Sequence, residues 1–204
     1  MSSHGSFGDY FASWMSRLED FLPLLLFASN YPIPPSREHQ ACLHRLIADV
    51  TLHHKCYYAE KWASFEAHGG GGDVFAFFSM PWMTSLERAY LWIMGWKPSA
   101  AFRIMESLRE GKCEGRGRGG VRRGKVEEAI KEIGAGMEKV MKAGDSVRLR
   151  TLGGLMEVLS PSQGVGFLGA LTLVLLRMRD QGLKRSRGNS SVAGNDTSEP
   201  TKRA

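Results

Sequence analysis

The residues best suited to chemistry lie between positions 39 and 56, where histidine and cysteine recur at one spacing. His39 and Cys42 are three residues apart, and so are His53 and Cys56. In a helix this spacing brings both side chains of a pair onto one face, as shared metal binding requires. The two pairs are separated by 14 residues, which is about 21 Å along a helix at roughly 1.5 Å per residue. They cannot share one ion, so the sequence predicts no metal site.

A haem iron makes a smaller demand, because one imidazole can serve as its axial ligand. His53 and His54 are the candidates, and they lie close in sequence to Tyr57 and Tyr58. The other interpretation is that these histidines are packed, hydrogen-bonded residues of a helix. A sensor of haem or of another small apolar ligand is therefore kept as an alternative function.

Two glycine-rich stretches have the spacing of nucleotide-binding loops but not their context. Gly119, Gly124 and Lys125 fit a P-loop, yet Val126 stands where a serine or threonine would hold magnesium. Residues 164–169 contain Gly-x-Gly-x-x-Gly, but they follow Pro161 and a predicted helix instead of a strand. The sequence also shows no serine, histidine and acid cluster and no paired carboxylates. We expect a protein that is not an enzyme and needs no cofactor.

The positive charge of the chain is concentrated in two segments. The net charge is +6, and residues 112–125 carry six cations against Glu114 alone. A second basic segment begins at Arg177. Both could contact phosphates, so RNA binding is a further alternative, although residues 111–124 have no aromatic side chain on which bases could stack. The candidate contact residues are Arg116, Arg118, Arg122, Arg123 and Lys125.

Composition predicts one intracellular domain with mobile ends. The 204 residues are 43% hydrophobic and include three cysteines, an odd number for a disulfide framework. The longest nearly apolar run, residues 165–176, is shorter than the roughly 20 residues that span a bilayer. We expect a flexible stretch at 1–6, a helical domain at 7–182 with a flexible basic insert at 111–124, and a disordered basic tail at 183–204.

Helical periodicity recurs along the chain, and no segment shows the sustained alternation of a strand. Ser36 is the predicted N-cap of a long helix toward Ala67, in which helical spacing places Leu43, Val50 and Tyr57 on one buried face. Thr84 and Glu87 form a capping box for a short aromatic helix, which we expect to be central in the fold. Further helices are predicted near residues 73–78 and 98–110, from Lys125 to Gly144 and from Leu152 to Leu159. The last helix is predicted from Pro161 onward, with Ser160 as its cap. The fold class is therefore all-α, a single bundle of about six to eight helices.

Four short motifs occur along the chain, and we expect their residues to be mainly structural. The residues are Phe11, Trp14, His53, Tyr57, Tyr58, Lys61, Trp82, Glu87, Trp92, Gly95, Trp96, Pro98, Pro161 and Gln163. These motifs resemble those of the plant Delay of Germination (DOG) domain family, whose domain also occurs in TGA-type bZIP transcription factors. Two departures are His54, where a tyrosine is usual, and Cys56, where an acidic residue is common. The glycine-arginine insert is a third, because it replaces a longer polar connection.

The resemblance implies a plant regulatory protein that acts on transcription, in seed dormancy or development, in the nucleus or the cytoplasm. It also implies sequence-specific DNA binding, as in the TGA factors. However, no basic region with leucine heptads precedes Phe7, and such a region is what carries a bZIP protein into the major groove. We therefore expect protein contacts to dominate and DNA to be bound indirectly or weakly. The expected partners are regulatory proteins such as bZIP factors, with a homodimer as a further alternative and no membrane.

Overall fold

The computed structural model describes residues 6–30, 36–67, 77, 79–94 and 120–193. These ranges contain five helices, α1 (Phe7–Asn30), α2 (Arg37–Ala67), α3 (Ser85–Met94), α4 (Gly120–Val158) and α5 (Pro161–Ala193). No strand occurs in the described ranges, which confirms the all-α prediction. The predicted helices near residues 73–78 and 98–110 fall largely or wholly outside these ranges.

Side-chain caps begin α2 and α5 at the predicted places. The Ser36 hydroxyl accepts a hydrogen bond from the His39 backbone N–H at 3.1 Å at the start of α2. At the start of α5 the Ser160 N–H donates to the side-chain oxygen of Gln163 at 3.0 Å, and the Gln163 N–H donates back to the Ser160 hydroxyl. Each cap satisfies backbone donors that the first helical turn leaves unpaired.

Helix α4 corrects two sequence predictions. It begins at Gly120, inside the segment 111–124 that was predicted to be a flexible insert. It then runs through Gly144 and joins the two predicted pieces, 125–144 and 152–159, into one helix. A glycine inside a helix costs only about 1 kcal/mol relative to alanine. The burial of Met141 and Asp145 on either side of Gly144 shows why packing outweighs that cost.

Helix α5, and not the short α3, is the centre of the bundle. It packs against each of the other four helices, and it is fully buried at Val165, Leu168 and Thr172. It also continues to Ala193, beyond residue 182, where the sequence analysis ended the folded domain. Helix α3 packs mainly against α5.

Helix α5 is also the only described helix long and apolar enough to span a membrane. The segment Pro161–Gly188 contains an 18-residue window with a mean hydropathy of 1.2, of which 28% is buried. This criterion uses only length and composition, and the core helices of soluble proteins also meet it.

The interior is divided into two main clusters and a smaller one. The aliphatic core joins α1, α2 and α5 at one end and consists of Phe21, Leu25, Leu43, Val50, Val165 and Leu168. The aromatic core lies at the other end and consists of Phe7, Phe11, Trp14, Met15, Leu18 and Tyr57, with Trp82 packed against it. A third cluster, Phe65, Met137 and Met141, joins α2 to α4.

Candidate functional site

Eight residues of the predicted motifs lie at or beside the aromatic core. The rings of Trp14 and Tyr57 are 4.9 Å apart, and those of Phe11 and Tyr57 are 5.9 Å apart. Phe7 links α1 to the segment before α3, because its ring meets Trp82 edge to face at 4.7 Å. We call the set the motif cluster. Its members are Phe11, Trp14, His53, Tyr57, Tyr58, Lys61, Trp82 and Glu87.

Trp14 and His53 fasten α1 to α2 by two reciprocal hydrogen bonds. The Trp14 indole N–H donates to the His53 carbonyl oxygen at 3.0 Å, and His53 Nε2 lies 3.0 Å from the Trp14 carbonyl oxygen. Because a carbonyl oxygen only accepts, Nε2 of His53 must carry the proton. The two rings also stack, 5.1 Å apart and 9° from parallel. Nε2 is therefore engaged, and it is not open to a haem iron in this arrangement.

Charge is disfavoured on both histidines. Burial lowers the pKa of His53, an effect that its hydrogen bond to Trp14 opposes and the positive charge of Arg17 reinforces. Burial, with a smaller contribution from His53, lowers the pKa of His54 to about 4. His54 is 7% exposed, and its Nε2 has no hydrogen-bond partner among the described residues. A haem could reach His54 only if the core opened, so haem ligation stays a prediction.

In the part of the chain that the structure describes, no group of three or more histidine, cysteine or acidic side chains could hold a metal ion. Cys42 and Cys56 are both free and exposed on α2. Neither belongs to the motif cluster.

Lys61 forms a buried ion pair with Asp145, which ties α2 to α4. Lys61 Nζ lies 2.7 Å from Asp145 Oδ2, and the two side chains are only 3% and 6% exposed. The Trp62 indole N–H donates to the same oxygen at 3.0 Å. Arg148 donates to the other oxygen, Oδ1, at 2.9 Å. The Asp145 carboxylate is thus fully engaged by three donors.

This ion pair affects its neighbours electrostatically. Burial lowers the pKa of Lys61, and the negative charge of Asp145 opposes that effect. Burial, reinforced by Asp145, raises the pKa of the Tyr58 hydroxyl to about 12. Tyr58 therefore stays protonated at neutral pH. Lys61 and Tyr58, both in the predicted motif, thus interact with the carboxylate of Asp145. The sequence analysis did not identify Asp145, because it is 84 residues from Lys61 and its own neighbourhood showed no recognisable pattern.

Glu87 is part of the predicted capping box and also holds α3 to α5. The Thr84 N–H donates to Glu87 Oε2 at 2.6 Å, and the Glu87 N–H donates to the Thr84 hydroxyl at 3.2 Å. Arg179 of α5 donates to the Trp82 carbonyl oxygen at 3.0 Å and pairs with Glu87 at 3.4 Å. Gly182 lets the two helices approach closely, since a Cβ added there would collide with the side chain of Thr84.

The remaining predicted residues lie elsewhere or outside the description. Pro161 and Gln163 stand at the start of α5, where Gln163 completes a helix cap. Trp92 lies in α3, but its side chain is not among those described. Residues outside the described ranges are Gly95, Trp96, Pro98, Arg116 and Arg118; Arg122, Arg123 and Lys125 fall in the first turns of α4, where side chains are not described.

Known proteins are similar to this chain over most of its length. The sequence model of the DOG1 family, described as seed dormancy control, matches residues 28–107. Protein DOG1-like 4 of Arabidopsis thaliana is 33% identical, over 88% of this chain and 93% of its own length. Protein ZW2 and Protein RESPONSE TO ABA AND SALT 1 of the same plant are each 28% identical, over 89% and 91% of this chain and 98% of their own lengths.

No solved structure matches the chain significantly. The family is shown by identity over nearly the full length. Several residues that the sequence analysis assigned to the family motifs, such as Phe11, Trp14 and Tyr57, lie in the core between helices. This chain belongs to the DOG1 family of plant regulatory proteins linked to seed dormancy.

Proposed function

We propose that this protein regulates transcription in a seed dormancy or related developmental programme, and that it acts through contacts with other regulatory proteins. TGA-type bZIP transcription factors are the proposed partners. DNA is reached through such a partner or bound weakly by the chain itself, in the nucleus.

The observation that supports protein contacts is the burial of the motif cluster. Phe11, Trp14, Tyr57 and Lys61 are all buried. Trp14 and Lys61 form their hydrogen bonds with other helices of the bundle. Because these side chains stabilise the interior of the bundle, we assign the recognition of partner proteins to its outer surface. A helical bundle that recognises other proteins with its outer faces needs no pocket.

Weak DNA binding is proposed from the distribution of charge on α5. Arg177, Lys184, Arg185 and Arg187 are exposed near the end of that helix, and Asp180 pairs with Lys184 at 2.6 Å. Exposed cations contact phosphates without reading base sequence. Such binding weakens steeply as salt concentration rises, because phosphate contacts release counterions.

The DNA part of the proposal is tested by fluorescence anisotropy with the full chain and two duplexes of unrelated sequence. Similar weak affinities that fall with added salt are expected for both. Removing three cations together (Arg177→Ser, Arg185→Ser and Arg187→Ser) should reduce the salt dependence. A control removes the same charge from the exposed face of α2 (Arg37→Ser, Arg45→Ser and Lys55→Ser) and should change it less. Nanomolar, sequence-selective binding by the isolated chain would contradict the proposal.

The transcriptional part is tested by recruitment. The full chain, fused to an unrelated DNA-binding domain, is brought to a reporter promoter in plant protoplasts. We expect a change in reporter output and, in a separate assay, a slower-migrating complex when the chain is added to a TGA-type bZIP protein on its DNA. An unchanged reporter together with an unchanged bZIP complex would rule out this function.

A further inference from the structure

Helices α3 and α5 border an open cleft of about 320 Å³ at the start of α3. The residues that line it come from both helices and are Ser85, Leu86, Ala89, Gly182, Arg185 and Ser186. Gly182 lets the helices approach closely there, because a Cβ at that position would collide with Thr84. Arg185 and Ser186 follow Gly182 by three and four residues, so they lie on the same face of α5 and reach the same cleft.

The Ser85 hydroxyl lies beside arginines from two elements of the fold. Ser85 is exposed, and its Oγ accepts a hydrogen bond from Arg88 at 3.1 Å. The same guanidinium group donates to the Ser79 carbonyl oxygen at 3.2 Å, which fixes its position. Arg185 reaches the cleft from α5, is exposed and forms no ion pair in the described part of the chain. Two cations thus border one serine hydroxyl.

Acidic side chains near the cleft are already paired. Among the described residues that line the cleft, none is acidic. Glu87 is 8% exposed and accepts the Thr84 N–H and the Arg179 guanidinium group. Asp180 pairs with Lys184 at 2.6 Å. The cleft therefore presents net positive charge, which favours an anion.

From the place of the Ser85 hydroxyl beside these two guanidinium groups, we propose that Ser85 is a phosphorylation site and that Arg88 and Arg185 bind its phosphate. A protein serine kinase supplies the group from ATP. The bond between the γ-phosphorus and the oxygen of ADP breaks, a bond to Ser85 Oγ forms, and the hydroxyl proton passes to the catalytic base of the kinase. The product carries about −1.5 to −2 charges at pH 7, and arginine binds phosphate oxygens with paired N–H donors.

Ser85, and not the neighbouring Thr84, is the acceptor. Thr84 is 9% exposed, and its hydroxyl accepts the Glu87 N–H at 3.2 Å. Ser85 is exposed, is the first residue of α3 and follows residues 80–84, which are not helical. Helix ends fray, so opening the first turn of α3 would offer Ser85 to a kinase.

The phosphate would connect the start of α3 to the C-terminal part of α5 by charge-assisted hydrogen bonds. Arg185 is also one of the cations proposed to contact DNA, so phosphorylation should weaken that contact. This consequence rests on the proposed function, whereas the modification and its binding by the two arginines do not. A bound phosphate without any change in DNA affinity would count against the DNA contact and not against the site.

Mass spectrometry of the full chain purified from plant cells tests the modification. We expect phosphate on Ser85 and none on Thr84. A chain without phosphate at Ser85 overturns the proposal, as does a phosphate carried by Thr84 instead.

A full chain in which phosphoserine replaces Ser85 during expression tests the binding by the two arginines. A phosphorus NMR titration measures the second pKa of the phosphate, which is about 6 for free phosphoserine. Neighbouring guanidinium groups stabilise the dianion, so that pKa should fall by about one unit. Arg185→Gln should reverse much of this shift, and it should leave the melting temperature of the unphosphorylated chain unchanged because Arg185 is exposed.

A chain in which phosphoserine replaces Ser162 is the matched control. Ser162 is exposed in the first turn of α5, and no lysine or arginine lies within four residues of it along the chain. Its phosphate therefore measures the effect of a helix start without the arginines, and its pKa should shift less. A phosphate at position 85 that titrates like the one at position 162, or that does not respond to Arg185→Gln, overturns the proposal.

Discussion

The two ends of the bundle are built by different means. The aliphatic core joins α1, α2 and α5 with aliphatic side chains and one phenylalanine, Phe21, which contact one another without directional bonds. The aromatic core and the motif cluster join α1, α2, α3 and α5 with tryptophan, tyrosine and histidine, and a buried lysine adds α4. At that end Trp14, Lys61 and Glu87 each have a specific partner on another element or at a helix cap.

The two ends differ in how strictly the fold restricts the residue type at each position. Aliphatic packing depends on volume and shape, so several side chains of similar size can fill one site. A buried charge or hydrogen-bond donor must have its partner, because an unpaired one is costly. The polar and aromatic end therefore restricts sequence more severely, and it is where most of the motif residues are found.

Lys61→Met should produce the largest loss of stability among the variants that compare the two ends. It leaves the Asp145 carboxylate buried without its closest cation, although Trp62 and Arg148 still donate to it. Removing one partner of a buried ion pair typically costs about 3 to 5 kcal/mol. The free energy of unfolding, measured by urea denaturation, should fall by about that amount.

The double variant Lys61→Met with Asp145→Leu is the control for this prediction. It removes both charges and should recover most of the stability, since a buried pair replaced by apolar residues is often neutral. A loss below about 1 kcal/mol for Lys61→Met alone would show that the lysine is dispensable to the fold.

A somewhat smaller loss of stability is expected at acidic pH, because His54 is held neutral in the folded state. Its folded pKa is about 4, below the ordinary value of 6.5. Between these values the unfolded chain binds the proton and the folded chain does not, so stability falls as pH falls from about 6.5 to about 4. The shift of about 2.5 units corresponds to about 3 kcal/mol at 1.36 kcal/mol per unit.

His54→Leu isolates that contribution from other titrating groups. Unfolding free energies of both proteins are measured by urea denaturation at several pH values, and the wild type should lose more stability below pH 6.5 than the variant does. Parallel pH profiles would mean that His54 is not held neutral by burial. The same pair of proteins tests haem, because a Soret band that appears on reconstitution and is lost in His54→Leu would restore the ligand-sensing alternative.

The sequence predicted what is local and missed what is distant. The caps at Ser36, Thr84 and Ser160 were predicted, because a cap depends on residues three positions apart. The burial of Tyr57 followed from helical spacing. Asp145 was not predicted as a partner of Lys61, and Arg179 was not predicted as a partner of Glu87, since these contacts join residues 84 and 92 positions apart. The continuity of α4 was missed because glycine propensity was given more weight than packing.

The smallest effect is expected at the aliphatic core, from Leu168→Met. Leu168 is fully buried on α5 and belongs to the cluster with Phe21, Leu25 and Val50. The exchange keeps the side-chain volume nearly constant, removes no hydrogen bond and introduces a flexible side chain that can fill irregular space. It should cost less than about 1.5 kcal/mol by urea denaturation, below the loss expected for Lys61→Met at the other end. A loss of about 3 kcal/mol or more in the free energy of unfolding would show that the aliphatic end restricts residue type as strictly as the motif cluster does. The density of motif residues at the aromatic end would then need an explanation other than stability, such as contact with a partner.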